Sequence, residues 1–179
     1  QTVAEGTRLR LVASATDADL PAQVLTFSLA PNAPTGAAIS TNGIFTWTPA
    51  NHQGGTNYWI TVRVTDNGAP AYSNEMQFQV TVAEVNQAPV LAMTNEVAIS
   101  EGELWTLQIA ASDPDEPAQQ LTFSLTNAPA GAEINPTNGV LTWRPSESQG
   151  GTNYAITVRA TDAGSPPLAD EQVLWVTVA

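Results

Sequence analysis

The 179 residues predict an all-β chain built as two tandem Greek-key, Ig-like β-sandwiches. Three observations carry this expectation. A long block of sequence occurs twice, apolar and polar residues alternate with a period of two, and clusters of Gly and Pro interrupt the alternation at short intervals.

The repeat sets the organisation. ATDADLPAQVLTFSL (15–29) recurs as ASDPDEPAQQLTFSL (111–125), and QGGTNYWITVRVTDNGAP (53–70) recurs as QGGTNYAITVRATDAGSP (149–166). Phe27 thus corresponds to Phe123 and Trp47 to Trp143, an offset of 96 residues. The offset slips by one only in the loops around Ile39 and Ile134. The expected division is a first sandwich over 1–83, a linker over 84–90 and a second sandwich over 91–179. The abrupt start at Gln1 and the stop at Ala179 read as a segment of a longer array.

The strands follow in order. Leu25, Phe27 and Leu29 face one way and Thr26 and Ser28 the other. Tyr58, Ile60, Val62 and Val64 face a core, while Trp59, Thr61, Arg63 and Thr65 face out. FQVTV (78–82) closes the first copy. WTLQIAAS (105–112), YAITVRAT (154–161) and LWVTV (174–178) repeat the scheme in the second. PNAPTGA, TNG and DNGAP supply turns, since Gly tolerates positive φ and Pro fixes its own. No stretch has a helical period. About seven short strands per copy is the signature of a Greek-key sandwich. The cores are expected to hold Phe27 with Trp47, and Phe123 with Trp143.

Composition narrows the chemistry. The chain has 17 Asp and Glu against 5 Arg and no Lys, for a formal net charge of -12, and it has no Cys. Disulfides, thiolate metal sites, lysine Schiff bases and phosphate-loop lysines are therefore excluded. An acidic surface repels nucleic acid, which needs a basic face. No apolar run reaches the roughly 20 residues of a membrane-spanning helix. The single His52 becomes Ser148 in the second copy, and no nucleophile or metalloprotease motif is present, so no enzyme activity is expected.

The acidic residues fall at chosen places. Asp113-Pro114-Asp115 follows the second strand of copy two and Asp162 follows its penultimate strand. In a seven-strand sandwich those two strands end at the same pole, where the linker Glu84-Val85-Asn86-Gln87 also enters. Copy one repeats the set with Asp17, Asp19 and Asp66. Glu5, in the turn before strand two, is expected at the opposite pole of copy one, the pole that faces the linker. Crowded carboxylates without cations repel, and a hard divalent cation relieves this. Ca²⁺ takes oxygens from carboxylates, amides and carbonyls at roughly 2.3–2.6 Å.

These residues carry a family resemblance over the whole chain. AEG and SEG, DAD and DPD, TDNGAP and TDAGSP, and the linker EVNQAP resemble tandem cadherin repeats. NGIFTWTP, NGVLTWRP and QGGTNY resemble more closely the dystroglycan-type cadherin-like domains of bacterial surface proteins. The resemblance implies Ca²⁺ bound between consecutive domains, stiffening an extracellular or cell-surface array that serves cell adhesion. Its partners would be neighbouring repeats of the same chain and another cell-surface protein or a polysaccharide. The chain departs from the family at Thr48-Pro49-Ala50-Asn51-His52, where an acidic motif is expected, and at Asn86-Gln87, which are amides. One or two calcium ions fit this better than the family's three. The expected ligands are Asp113, Asp115, Asp162 and Asn86, then Glu84 and Glu5, with Asp17, Asp19 and Asp66 as the copy-one set.

The alternative is a carbohydrate-binding module appended to a secreted polysaccharide-degrading enzyme. Trp59 and Trp175 fall on outward positions, and an exposed indole can stack on a sugar ring. Trp59 is the candidate carbohydrate contact. Trp47, Trp105 and Trp143 read as core.

Overall fold

The computed structural model describes residues 1–179. The chain divides into two compact units, Gln1–Val85 and Asn86–Ala179.

Unit 1 contains seven strands: β1 (Thr2–Ala4), β2 (Leu9–Val12), β3 (Thr26–Leu29), β4 (Ala38–Ile39), β5 (Ile44–Trp47), β6 (Asn57–Thr65) and β7 (Ser73–Ala83). They form a four-stranded sheet, β1-β7-β6-β3, and a three-stranded sheet, β2-β5-β4. Unit 2 contains β8 (Val90–Ala92), β9 (Glu96–Ile99), β10 (Trp105–Gln108), β11 (Ala110–Ser112), β12 (Thr122–Asn127), β13 (Glu133–Ile134), β14 (Val140–Trp143), β15 (Thr152–Thr161) and β16 (Ala169–Val178). Its sheets are β12-β15-β16-β9 and β10-β14-β13, with β11 and β8 paired separately. In both units the first strand of the larger sheet runs parallel to the last, with Ala4 opposite Ala83 and Ile99 opposite Val178.

The long antiparallel ladders obey the alternation read from the sequence. In β6, Ile60 and Val62 are buried while Trp59 and Arg63 are exposed. Thr61 departs from the pattern. The alternation points it outward, yet it is buried, because the Gln77 amide crosses from β7 and donates to its hydroxyl at 3.0 Å. A second departure breaks the expected single strand at 105–112. β10 and β11 are separated at Ile109, whose side chain is buried and whose N–H bonds Gly139 O at 3.0 Å. Gly139 has φ +68, and a Cβ there would lie 2.8 Å from Ile109 O, so only glycine lets the hairpin come this close.

The cores are matched at their centres. Trp47 and Trp143 are both fully buried and meet Tyr58 and Tyr154 edge to face, with ring centroids 5.0 and 5.1 Å apart. Around Trp143 gather Ile109, Phe123, Leu141, Ile156 and Leu174; around Trp47, Phe45, Ile60, Val80 and Val82. Phe27 corrects the expectation. It is only half-buried and stands outside the core cluster of Trp47, whereas Phe123 is inside that of Trp143. The reason is a covering strand. In unit 2, Leu91 of β8 joins the core at 4% exposure. By the 96-residue offset the equivalent of Leu91 falls ahead of Gln1, and Phe27 lines a groove at the corresponding place in unit 1.

Replacing Trp143 by Ala removes the largest buried side chain of unit 2 and is expected to cost about 3–5 kcal/mol, read by denaturant unfolding. A cost below about 1 kcal/mol would show that the indole does not hold the core.

Candidate metal centre

The acidic residues of unit 2 gather where three segments meet: Asn86-Gln87, the loop after β11, and the loop after β15. Asp115 and Asp162 are buried at 2% and 5% exposure. That is uncommon for carboxylates, and each oxygen must find donors. Asp162 accepts from Gly164 N at 3.0 Å and Leu168 N at 2.9 Å, an Asx-type turn that closes the loop on itself. Its second oxygen accepts from Asn86 Nδ2 at 3.1 Å. Asp115 accepts from Gln87 N at 3.2 Å and from Gln119 Nε2 at 2.8 Å. Gln119 Nε2 also donates to Asn86 Oδ1. Asp113 accepts from Asp115 N at 3.1 Å and Gln119 N at 3.2 Å, both on one oxygen.

Two oxygens are left over. Asp113 Oδ2 and Gln119 Oε1 are buried and have no hydrogen-bond partner. A buried acceptor without a donor is costly, and here two stand within one loop beside two buried carboxylates. Neither arginine of unit 2 relieves them: Arg159 pairs with Glu171 at 3.1 Å, and Arg144 donates to Gly102 O.

The counterpart in unit 1 is looser. Asp17 accepts from Asp19 N at 2.8 Å, Asp19 from Gln23 Nε2 at 2.6 Å, and Asp66 from Gly68 N and Tyr72 N. Asp19 is exposed and Asp66 half-buried. In unit 2, Asn86 and Gln87 lie against the loops and exclude water from them; the equivalent positions by the 96-residue offset fall ahead of Gln1.

Glu5 and Glu84 come together elsewhere in unit 1. Each follows the end of a strand, and β1 and β7 run parallel with Ala4 opposite Ala83, so the two side chains leave the sheet side by side. Both aim at Gly54, beyond the short 3-10 turn Asn51–Gln53. A Cβ on Gly54 would collide with Oε2 of both glutamates. Glu5 is buried at 8% exposure. Unit 2 repeats the cradle with Glu101 against Gly150, where Glu147 stands in place of Asn51.

The donors present are oxygens, and the only histidine, His52, lies on the exposed 3-10 turn of unit 1. They suit a hard cation such as Ca²⁺ and not a soft one. No three His, Cys, Asp or Glu side chains come close enough to hold a metal ion by themselves. The carboxylates of unit 2 are separated by the amides of Asn86 and Gln119, which direct N–H groups at them.

Gln23 and Gln119 do not stand out in the sequence as site residues. Their signal lies in the repeat, where Pro-Ala-Gln occupies the same place in both copies, at 21–23 and 117–119.

A family model described as "Putative Ig domain" matches residues 1–83 and again 88–179. The chain belongs to that family. Its members here are cadherin-like repeats. Protocadherin Fat 4 of Homo sapiens is 30% identical over 132 residues, which are 69% of this chain and 3% of that protein. The wing polarity protein stan of Drosophila melanogaster, a protocadherin-like protein, is 29% identical over 178 residues, 89% of this chain and 5% of that one. The chain therefore spans a small part of these relatives. Among solved structures, mouse cadherin-23 EC22-24 is 27% identical with a TM-score of 0.62, covering 99% of this chain and 62% of its own. Human CDH23 EC21-23, at 22% identity, TM-score 0.63 and coverage of 100% and 72%, is alike in fold.

The second cadherin-like repeat carries a pH signature. Burial raises the pKa of Asp162, but the N–H groups of Leu168, Gly164 and Asn86 outweigh it and hold the carboxyl below its ordinary 3.8. A depressed pKa stabilises the fold above the unfolded value, and this contribution is lost as pH falls through the folded one. Asp162→Asn is expected to destabilise the second repeat at pH 7. The difference from wild type should narrow as pH drops below about 4, followed by thermal unfolding. A difference constant from pH 7 to pH 3 would mean that charge at Asp162 is not what holds the loop.

Proposed function

We propose that this chain is an extracellular, calcium-binding adhesion or spacer module, a stretch of a repeat array that Ca²⁺ stiffens between consecutive repeats. The observation that carries the reading is the pair of buried, partnerless oxygens, Asp113 Oδ2 and Gln119 Oε1, beside the buried carboxylates of Asp115 and Asp162. A cation among them would satisfy what no donor in the protein satisfies. Asp113, Asp115 and Asp162 would hold it, with Asn86 turning its amide oxygen inward. Glu84 is two residues from Asn86 in the chain, and it shares a cradle with Glu5. Through that continuity an ion at Asn86 would couple the two repeats. Asp17, Asp19 and Asp66 would form the corresponding set of the first repeat. Kinship to cadherins and protocadherins supports the extracellular setting, with neighbouring repeats and another surface protein as partners.

Extracellular modules of this type bind Ca²⁺ with dissociation constants of roughly 10⁻⁴–10⁻³ M. Calcium at about a hundred times Kd stabilises the folded form by about 2.7 kcal/mol, a rise of several degrees in Tm. Magnesium is expected to do less, since it gives up its water reluctantly. Asp113→Asn with Asp162→Asn should remove the calcium-dependent rise. Small-angle scattering should show a narrower spread of dimensions with calcium than with chelator. Melting that is identical in millimolar calcium and in chelator would defeat the calcium reading.

A second reading, a carbohydrate-binding module, has one observation in its favour. Trp59 and Trp175 are exposed at 58% and 54%. Trp59 pairs across the ladder with Gln79, and Trp175 with Ala155, the counterpart of Trp59. Both indoles therefore stand on the same rung of their repeat, contributed by opposite strands. If the rung is a sugar platform, polysaccharide gels should retard the protein and Trp59→Ala should reduce the retardation. Unretarded migration through a panel of plant and bacterial polysaccharides would dismiss it.

A further inference from the structure

The outer faces of the two large sheets differ in what their polar side chains do. In unit 1 the side chains near Trp59 are engaged with one another. Thr81 Oγ1 donates to Asn57 Oδ1 at 2.7 Å, and Gln77 Nε2 donates to Thr61 Oγ1 at 3.0 Å. In unit 2 Asn153 and Thr177 hold the places of Asn57 and Thr81, again directly opposite each other. Both are exposed, and neither side chain makes a hydrogen bond within the chain. The exposed Glu96 carboxylate makes none either.

These three groups surround an exposed indole. Trp175 of β16 lies between Glu96 of β9 and Ala155 of β15. Thr177, the next outward residue of β16, lies between Ala98 and Asn153. Glu96, Ala98, Asn153, Trp175 and Thr177 line a groove of about 570 Å³. With neighbouring strands about 4.8 Å apart, three strands give a patch about 10 Å across. Ala155 and Ala98 are too short to cover the indole. The groove therefore offers one flat apolar surface, with unengaged oxygens and an amide at its rim.

We propose that this groove binds a neutral saccharide, with one pyranose ring lying on Trp175 and its hydroxyls meeting Glu96, Asn153 and Thr177. The inference rests on the carbohydrate reading above and moves its centre from Trp59 to Trp175. A pyranose has an apolar C–H face that matches the indole and a rim of hydroxyls that both donate and accept. The Glu96 carboxylate only accepts, while the Asn153 amide and the Thr177 hydroxyl do both, so every hydroxyl at the rim can find a partner. Charge selects the class of sugar. Glu96 stands in the groove itself and the chain carries a net charge of -12, so uronic acids and sulfated sugars are repelled.

The test runs the intact chain through native gels containing hydroxyethylcellulose, galactomannan or arabinoxylan, all neutral, and through gels containing carboxymethylcellulose or glycol chitosan. Retardation is expected in at least one neutral gel and not in carboxymethylcellulose. Trp175→Ala should weaken binding at least about tenfold. Asn153→Ala and Glu96→Gln should each weaken it about two- to tenfold. All three positions are exposed, so the melting curves of these variants should match wild type. Trp59→Ala should cost far less than Trp175→Ala. The reverse order would overturn the Trp175 site and leave the carbohydrate reading standing. Retardation in carboxymethylcellulose or glycol chitosan alone would overturn the neutral ligand. Retardation in no gel overturns the site and the carbohydrate reading together.

Discussion

Each repeat hangs on one antiparallel ladder. β15 and β16 pair over ten consecutive positions from Thr152 opposite Val178 to Thr161 opposite Ala169, and β6 and β7 pair over nine. Because side chains alternate along a strand, that register decides at once which residues enter the core and which face water. It seats Ile60 and Val80, or Ile156 and Leu174, in the interior. It also aligns Arg63 with Glu75 and Arg159 with Glu171 on the outer face. The loops at the ladder's ends inherit their places from it. Asp66 and Asp162 follow β6 and β15 directly, and Gly54 and Gly150 precede the same strands by two to three residues. The acidic features at the two ends of a repeat are therefore fixed by one element, and a slip of a single residue would turn every one of them to the wrong face.

Much of this is legible in the amino-acid sequence, for physical reasons. Period-two alternation belongs to half-buried strands, and an internal duplication repeats it twice. Trp47 and Trp143 lie in phase with Phe45 and Leu141, so their burial can be read directly. Trp59 lies out of phase and is exposed. Asp113 and Asp115, in the loop after β11, and Asp162, directly after β15, can be brought to one place because the topology fixes where both strands end.

What stays hidden depends on partners across the sheet. Thr61 alternates outward, and only the reach of Gln77 buries it. Phe27 alternates inward, and only a covering strand would bury it. Period-two reasoning assigns a direction to a side chain but not the presence of something in that direction. Gln23 and Gln119 are inconspicuous for a different reason. An amide in a Pro-containing loop is ordinary turn chemistry, and its significance shows only in the acceptors it reaches. The interruption at Ile109 depends on the approach of Gly139, a contact between residues 30 apart in the chain.

The outer edges of the larger sheets, β3 and β12, have a consequence for how copies of this protein behave in company. Edge strands offer the backbone groups by which sheets join edge to edge and aggregate. No lysine exists anywhere in the chain to serve as the usual gatekeeper. The deterrent is collective. A net charge of -12 on every copy keeps the edges apart by mutual repulsion. That repulsion weakens with ionic strength, since the screening length is about 8 Å at physiological salt. Colloidal behaviour is thereby tied to the ionic medium: added salt lowers the barrier that holds neighbouring molecules apart.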